Sequence, residues 1–376
     1  MIHLPIPSRA AGQQSVLGLR TPPLETVRIA FVGLGERGLT VLRLMMLVPD
    51  ARITVICNNS HERIAATLDA TGLSASQVRC YSGADCYLEA CQAEDVDLVY
   101  ICTDWLSHVP VAVAAMRAGK HVAIEVPAAL TLEDLWLLID TAELCQRHCT
   151  LLENCCYDQE VQQAIRRIQQ REIGEIVHAE GCYYHELKGR WSPWRLDINR
   201  RQRGDLYPTH EFGPMCMALG INRTDRLQTL VSMDSASWAG RQQYEESLGC
   251  EAPDFQNGDH TTTLLRTAQG RTLLLRHDVV TRQPYSRHLR FVGTTGVIET
   301  GHDTSEEQKE VCSSFHSVHD PMTYEMNRRI VECLHLGLPM DIDVYDLATW
   351  CAVIPLSRLS IESGFEPVEV PDFMRQ

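Results

Sequence analysis

Apolar and polar positions along the first 150 residues alternate between short β-branched runs and longer stretches of helical spacing. Residues 26 to 33 read T-V-R-I-A-F-V-G, an apolar run of the kind that forms a buried parallel strand. A glycine-rich turn follows, then a helical pattern from Leu39 to Val48 that Pro49 stops. Arg52 to Cys57 predicts a second strand and His61 to Ala70 a second helix. Val96 to Cys102 predicts a further strand. Val109 to Ala118 predicts a helix closed by Gly119, and His121 to Glu125 another strand. Thr131-x-x-Asp134 has the form of a capping box, with Asp in the acid position, at the head of a long helix. Regular strand–helix alternation predicts a parallel sheet covered by helices.

The texture changes near residue 154. A helix over Gln159 to Arg171 ends before Gly174. Strand-like runs then follow at Ile176 to Tyr184, Arg226 to Met233, Thr261 to Thr267, Arg271 to Val280 and His288 to Val292. Turn signals such as Gln269-Gly270 and Thr294-Thr295-Gly296 separate them. Two helical stretches, 321 to 336 and 344 to 362, close the chain. The expected fold class is therefore α/β: an N-terminal Rossmann domain plus a C-terminal α+β domain with an open, mainly antiparallel sheet. The expected boundaries are an extension over 1–25, a dinucleotide domain over 26–153, a substrate and oligomerisation domain over 154–320, and helices over 321–376 that pack at the domain interface. Residues 186 to 204 and 241 to 257 read as loops.

Composition narrows the function classes. The 376 residues are 44% hydrophobic and 22% charged, which fits two globular domains. Lys and Arg number 34 against 49 Asp and Glu, a net charge of −15, so nucleic acid and anionic membrane are not expected partners. No apolar stretch of about 18 residues is present. Residues 1 to 23 carry Pro5, Pro7, Pro22 and Pro23 and no readable export signal, so the expected location is the cytoplasm. The 15 cysteines are scattered and odd in number, the pattern of reduced, buried thiols. No metal motif is found among the 15 histidines, and no metal is expected.

Chemistry enters at Gly33-Leu34-Gly35-Glu36-Arg37-Gly38, between the first strand and first helix. Gly33 permits the tight turn, Gly35 lets backbone approach a pyrophosphate, and Gly38 allows close helix–strand packing. The second strand ends in Asn58-Asn59, where an acid usually holds the ribose hydroxyls; NAD is expected over NADP. Trp105 and His108 follow a strand end, where open α/β sheets bind ligands, and are candidates to pack on the cofactor and reach its ribose. Glu125-Val126-Pro127 ends the next strand. In many sugar dehydrogenases of the glucose–fructose oxidoreductase and inositol dehydrogenase family the middle residue is a lysine that assists oxidation of the sugar hydroxyl. Here it is Val126, so the base must come from elsewhere. The segment Asp205 to Pro214 puts Tyr207 and His210 three apart, with Trp191, Trp194 and Arg195 just upstream, a sugar-binding vocabulary of aromatic faces and one guanidinium.

Together, E-V-P-A-A-L, L-E-N-C-C-Y (152 to 157), L-Y-P-T-H-x-x-G-P, G-D-H-T-T-T (258 to 263), R-H-D-V (276 to 279), P-Y-S-R (284 to 287) and G-L-P-M-D-I-D-V-Y-D (337 to 346) resemble glycoside hydrolase family 109. The resemblance runs from about residue 26 to the C-terminus. It implies a glycosidase, typified by α-N-acetylgalactosaminidases, that keeps NAD bound and recycles it. The sugar is oxidised at C3, deprotonated at C2, relieved of its aglycone by elimination, hydrated at C1 and reduced again. By the resemblance, Glu36, Arg37, Asn58, Trp105 to His108, Glu125, Val126 and Asn154 match NAD contacts. Tyr183, Arg195, Tyr207, Pro208, Thr209, His210 and Tyr285 match substrate contacts. The expected catalytic set is His210 for the C3 hydroxyl proton, Tyr157 or Tyr183 for the C2 proton, and Tyr207. A small glycoside is the expected substrate and a homo-oligomer through the C-terminal sheet the expected assembly. The alternatives are an NAD(P)-dependent sugar or cyclitol oxidoreductase, which added NAD as a stoichiometric reactant would reveal, and a non-catalytic NAD and sugar sensor.

Overall fold

A computed structural model describes residues 1–301 and 320–375, and the chain divides into two compact units. The first unit holds Pro7–Tyr157 and the helix that begins at Asp320. Its strands are β1 (Val27–Val32), β2 (Ala51–Asn58), β3 (Arg79–Ser82), β4 (Leu98–Ile101), β5 (His121–Ile124) and β6 (Cys149–Leu151). Its helices are α1 (Glu36–Met45), α2 (His61–Thr71), α3 (Tyr87–Gln92), α4 (His108–Arg117) and α5 (Leu132–Cys145). All six strands are parallel, in the order β3-β2-β1-β4-β5-β6. The strand order reverses between β1 and β4, the crevice where doubly wound sheets take their ligands.

Burial on both faces explains the apolar runs. Val27, Ile29, Phe31, Leu98 and Tyr100 are fully buried, and the Phe31 and Tyr100 rings stack at 4.7 Å. Arg28 grips Asp97 from Nε and Nη2 at 2.8 and 2.6 Å, and its own backbone N–H donates to the same carboxylate, pinning the start of β1 beside β4. Thr131 Oγ1 accepts from Asp134 N at 3.1 Å and caps α5, as the capping pattern predicts.

The second unit contains α6 (Gln159–Gln169), β7 (Ile176–Tyr184), α7 (Pro193–Arg201), α8 (Thr209–Leu219), β8 (Leu227–Asp234), α9 (Ala239–Leu248), β9 (Thr261–Thr267), β10 (Thr272–Asp278), β11 (Leu289–Gly293) and β12 (Val297–Thr300). Helix α10 (Asp320–Leu336) belongs to the first unit, where Tyr100 Oη donates to Asn327 at 2.9 Å. Helices α11 (Val344–Cys351) and α12 (Val353–Glu362) and strand β13 (Val368–Glu369) end the chain. The sheet order is β12-β11-β7-β10-β9-β8-β13; among these strands of the described residues the β7–β10 pair is parallel and the other pairs are antiparallel. The expected fold class is thus observed.

Two of the expected loops are corrected. Residues 186–204 contain α7, which Pro193 opens at its first turn, and 241–257 contain most of α9. Helix α9 buries only Gly240, Gln243 and Tyr244, a stripe too narrow and polar to register as apolar periodicity. The fourteen cysteines of the described residues are free, and Cys312 lies outside them. No helix of the described residues is long and apolar enough to cross a membrane.

Candidate active site

In the first unit the three glycines divide by what a side chain would meet. Gly33 sits at φ +95°, and a Cβ there would lie 2.5 Å from the Cys102 carbonyl oxygen. A Cβ on Gly38 would collide with the Gly33 carbonyl oxygen. Around Gly35 nothing lies within 4 Å of the missing Cβ. Gly33 and Gly38 are closed by packing, whereas Gly35 faces open space at the head of α1. No side chain caps α1, so its first N–H groups are left for an anion. The residues present fit a dinucleotide pyrophosphate.

The other expected cofactor residues lie in the same unit as this turn. Glu36 is exposed in the first turn of α1, and Arg37 Nε donates to Glu125 Oε1 at 2.7 Å. Asn58 Oδ1 accepts from Leu34 N at 3.0 Å, and its Nδ2 donates to Asn59, so this amide braces the glycine turn. Trp105 is buried in a short turn capped by Asp104. His108 is fully buried, with Nδ1 2.9 Å from the Pro127 carbonyl and Nε2 3.2 Å from the Thr103 carbonyl. Burial lowers its pKa, the two carbonyls opposing. His108 thereby ties the turn before Trp105 to the segment after Val126, which is buried. Asn154 Nδ2 donates to Thr323 Oγ1 at 2.9 Å. Tyr157 Oη donates to Asp341 Oδ2 at 3.5 Å, and Asp341 is gripped by Arg329 at 2.9 Å. Burial and the neighbouring Asp341 carboxylate push the Tyr157 phenol well up.

The second unit gathers an aromatic cluster. Side chains alternate faces along β7, so Tyr183 points inward while Tyr184 turns toward His260 on the opposite side. His210, at the start of α8, stands edge-on to Tyr183 and to Tyr207, each at 4.9 Å. Tyr207 lies 5.7 Å from Tyr183, and Arg195 sits 4.6 Å above the Tyr207 ring and 5.7 Å from Trp191. Tyr285, 43% exposed, meets Tyr183 and His185 edge-on. Pro208 and Thr209 are buried in the cap and first turn of α8, so they shape the backbone beside the cluster.

Three residues not singled out in the sequence support the cluster. Tyr183 Oη and His185 Nδ1 lie 2.8 Å apart. The period-two spacing of Tyr183 and His185 along an extended strand was the available signal. Asp205 Oδ1 accepts from Tyr207 N at 3.1 Å and lies 3.7 Å from His277 Nδ1. His277 in turn stacks on Tyr183. Burial raises the Asp205 carboxyl to about 7 and lowers His277 to about 3. Burial also pushes Tyr183 up, His210 and Arg195 opposing, so the phenol keeps its proton at rest.

The fold and the glycine turn define the class. Residues 27–152 match the oxidoreductase family with an NAD-binding Rossmann fold, and the first unit is a nicotinamide-dinucleotide domain. Residues 189–310 and 306–376 match the C-terminal domain of glycosyl hydrolase 109. A glycosyl hydrolase family 109 protein of Porphyromonas gingivalis is 42% identical over 99% of this chain and 91% of its own length. Glycosyl hydrolase family 109 protein 1 of Bacteroides thetaiotaomicron is 41% identical over 100% and 90%. The chain belongs to glycosyl hydrolase family 109. Among solved structures, levoglucosan dehydrogenase in complex with NADH and L-sorbose shares the fold, with a TM-score of 0.74 at 17% identity over 93% of this chain and 100% of that one.

Proposed function

We propose that this glycosyl hydrolase cleaves a small glycoside, of the N-acetylgalactosaminide type, by a redox-neutral elimination and hydration. The observation that carries the reading is the cluster of one histidine, three tyrosines and one arginine in the second unit, joined in one chain to a dinucleotide turn. Bound NAD supplies a reversible two-electron acceptor for the sugar C3, so that a ketone exists there for part of the cycle and no net oxidation results. Just past the end of β2, the Glu62 carboxylate, which accepts from Ser60 Oγ at 2.6 Å, disfavours a 2′-phosphate and supports NAD over NADP.

His210 receives the C3 hydroxyl proton in this reading, the role that Val126 leaves without a lysine. A ketone at C3 acidifies the C2–H bond. Tyr183 takes that proton, the C2 electron pair forms the C1–C2 double bond, and the C1–O bond breaks with its electrons leaving on the aglycone oxygen. Water then adds at C1. Tyr183 is favoured over Tyr157 for the C2 proton, because the Tyr157 phenol faces a carboxylate that opposes its ionisation. Arg195 and Tyr207 hold the sugar, and Tyr285 covers it. Glu36, Arg37, Trp105, His108, Glu125, Val126 and Asn154 hold or frame the dinucleotide. The open face of the C-terminal sheet joins copies into a homo-oligomer, and the enzyme works in the cytoplasm on small glycosides.

The test uses the purified protein without added cofactor and a panel of p-nitrophenyl α- and β-glycosides, including the N-acetylgalactosaminide. The expected result is sustained nitrophenol release with no net rise at 340 nm. Absorbance growing on free sugars only when NAD is supplied, without release, would transfer the chain to the sugar oxidoreductases. Ligand-dependent stabilisation without turnover would identify a sensor.

A further inference from the structure

Carbon deprotonation inside a buried cluster raises a question of proton traffic. A phenol that holds its own proton at rest can accept another from carbon only if the first has somewhere to go, and a buried oxygen needs a route to water to complete the cycle. The structure offers Tyr183 one such route among its described contacts. His185 Nδ1 stands 2.8 Å from Tyr183 Oη, and on the far side of the imidazole His185 Nε2 lies 3.5 Å from Nη1 of the exposed Arg190. Three groups therefore form a line from the interior of the cluster to the surface.

We propose that His185 is the proton-passing partner of Tyr183, carrying the hydrogen removed from sugar C2 out to solvent. The inference rests on the C2-deprotonation reading above and deepens it. With its own proton on Nε2, the neutral imidazole takes the phenol's original proton on Nδ1 as the Tyr183 oxygen takes the C2 proton, and it releases the Nε2 proton to water. Arg190, which can only donate, marks the exposed end of the path and carries no proton. Bonds to hydrogen are conserved in number, and the carbon electron pair stays on the sugar for the elimination. The reverse sequence returns a solvent-derived proton to C2.

The surroundings of His185 suit this role. Burial, then Arg190, Arg195 and His210, lower its pKa to about 4, so the ring is neutral and able to accept at pH 7. The Arg190 and Arg195 guanidiniums oppose lasting charge on the ring, which favours prompt release. Tyr285 packs edge-on at 5.1 Å and fixes the ring plane. His185 touches Tyr183 rather than the expected position of the sugar, so it is a positioning and relay residue.

The experiment is turnover of p-nitrophenyl α-N-acetylgalactosaminide in D2O by the holoenzyme as purified, with the hydrogen at C2 of the released sugar read by NMR. Wild-type enzyme is expected to place deuterium at C2. His185→Asn keeps a hydrogen-bond acceptor near Nδ1 but cannot carry the proton onward. It should release sugar that retains its original C2 hydrogen, at a rate lower by about 10²-fold and with little change in KM. His185→Phe preserves the packing against Tyr285 and should show the same retention. Thermal melts certify that each variant is folded. Full deuterium incorporation by folded His185→Asn would overturn the relay. Hydrolysis by wild-type enzyme with no deuterium at C2 would instead overturn the deprotonation reading beneath it.

Discussion

Glycine 35 and glycine 38 are three residues apart and do opposite jobs. A methyl group on Gly38 meets the Gly33 carbonyl oxygen and the Cys102 side chain, whereas one on Gly35 meets nothing. Gly38→Ala should therefore destabilise the fold by ~1–3 kcal/mol, the usual cost of overpacking. Gly35→Ala should leave the thermal midpoint of the cofactor-free protein unchanged and lower the amount of NAD it binds. Melting curves and the NAD content of the purified variants check both, and a cold-sensitive or unfolded Gly35→Ala would contradict the division. At the same scale, Tyr183 and Tyr184 are indistinguishable by residue type. The strand's two-residue period separates them, since only Tyr183 shares a face with Tyr207, His210 and His277. Asp205 was visible in its motif and holds the Tyr207 backbone N–H locally, but its place beside His277 depends on the long-range approach of β10.

Paired elements create chemistry that neither shows alone. His121 opens β5 and His148 immediately precedes β6. Their rings lie 5.0 Å apart, and His148 N donates to His121 Nδ1 at 3.1 Å. Burial, and then like charge from His148 and Arg147, lowers His121 to about 3; burial and Arg147 lower His148 to about 4. In the unfolded chain both titrate near 6.5. Above that value their contribution to stability is fully present. As pH falls below it the unfolded chain binds protons that the folded one does not, so stability is lost progressively toward about 4 and about 3, at up to about 1.4 kcal/mol per pH unit for each ring. Urea unfolding at pH 7 and pH 5 should show this slope, and His148→Leu should remove roughly one proton's worth of it. An unchanged slope would assign the pH dependence to other groups. Helices α7 and α9 were illegible at this scale because their buried stripes are short and polar. Helix α9 is held instead by tertiary bonds: Asp259 accepts from the backbone N–H groups of Trp238, Ala239 and Gly240, and Gln243 bridges Trp191 to the Val280 carbonyl.

Across the second unit, strand register builds a surface. Val231, Leu264 and Leu274 stand side by side on adjacent strands, and the same row continues through Glu180, Arg290 and Glu299. Arg290 bonds both glutamates, at 3.2 and 3.0 Å, while Leu264 is 48% exposed and Met233, on the same side, 55%. The opposite face is packed by α8, where Gly181 lets Glu211 and Met215 approach. An apolar strip on one uncovered sheet face is the surface proposed to join copies. Light scattering behind size exclusion should give a dimer or larger assembly, and Leu264→Arg should shift it toward monomer. A monomeric wild-type protein would remove the proposal.

Local sequence determined the alternation of strands and helices, the glycine turn and the split into a parallel and a mainly antiparallel sheet. Each is set by periodicity or by backbone sterics over a few residues. It also placed Tyr207 and His210 together, because one short segment carries both. Only tertiary structure decided that Tyr183 and not Tyr184 joins them, that His277 stacks on Tyr183, and that Asn58 braces the glycine turn. Those assignments depend on strand register and on contacts between residues up to about a hundred positions apart, which no local pattern encodes.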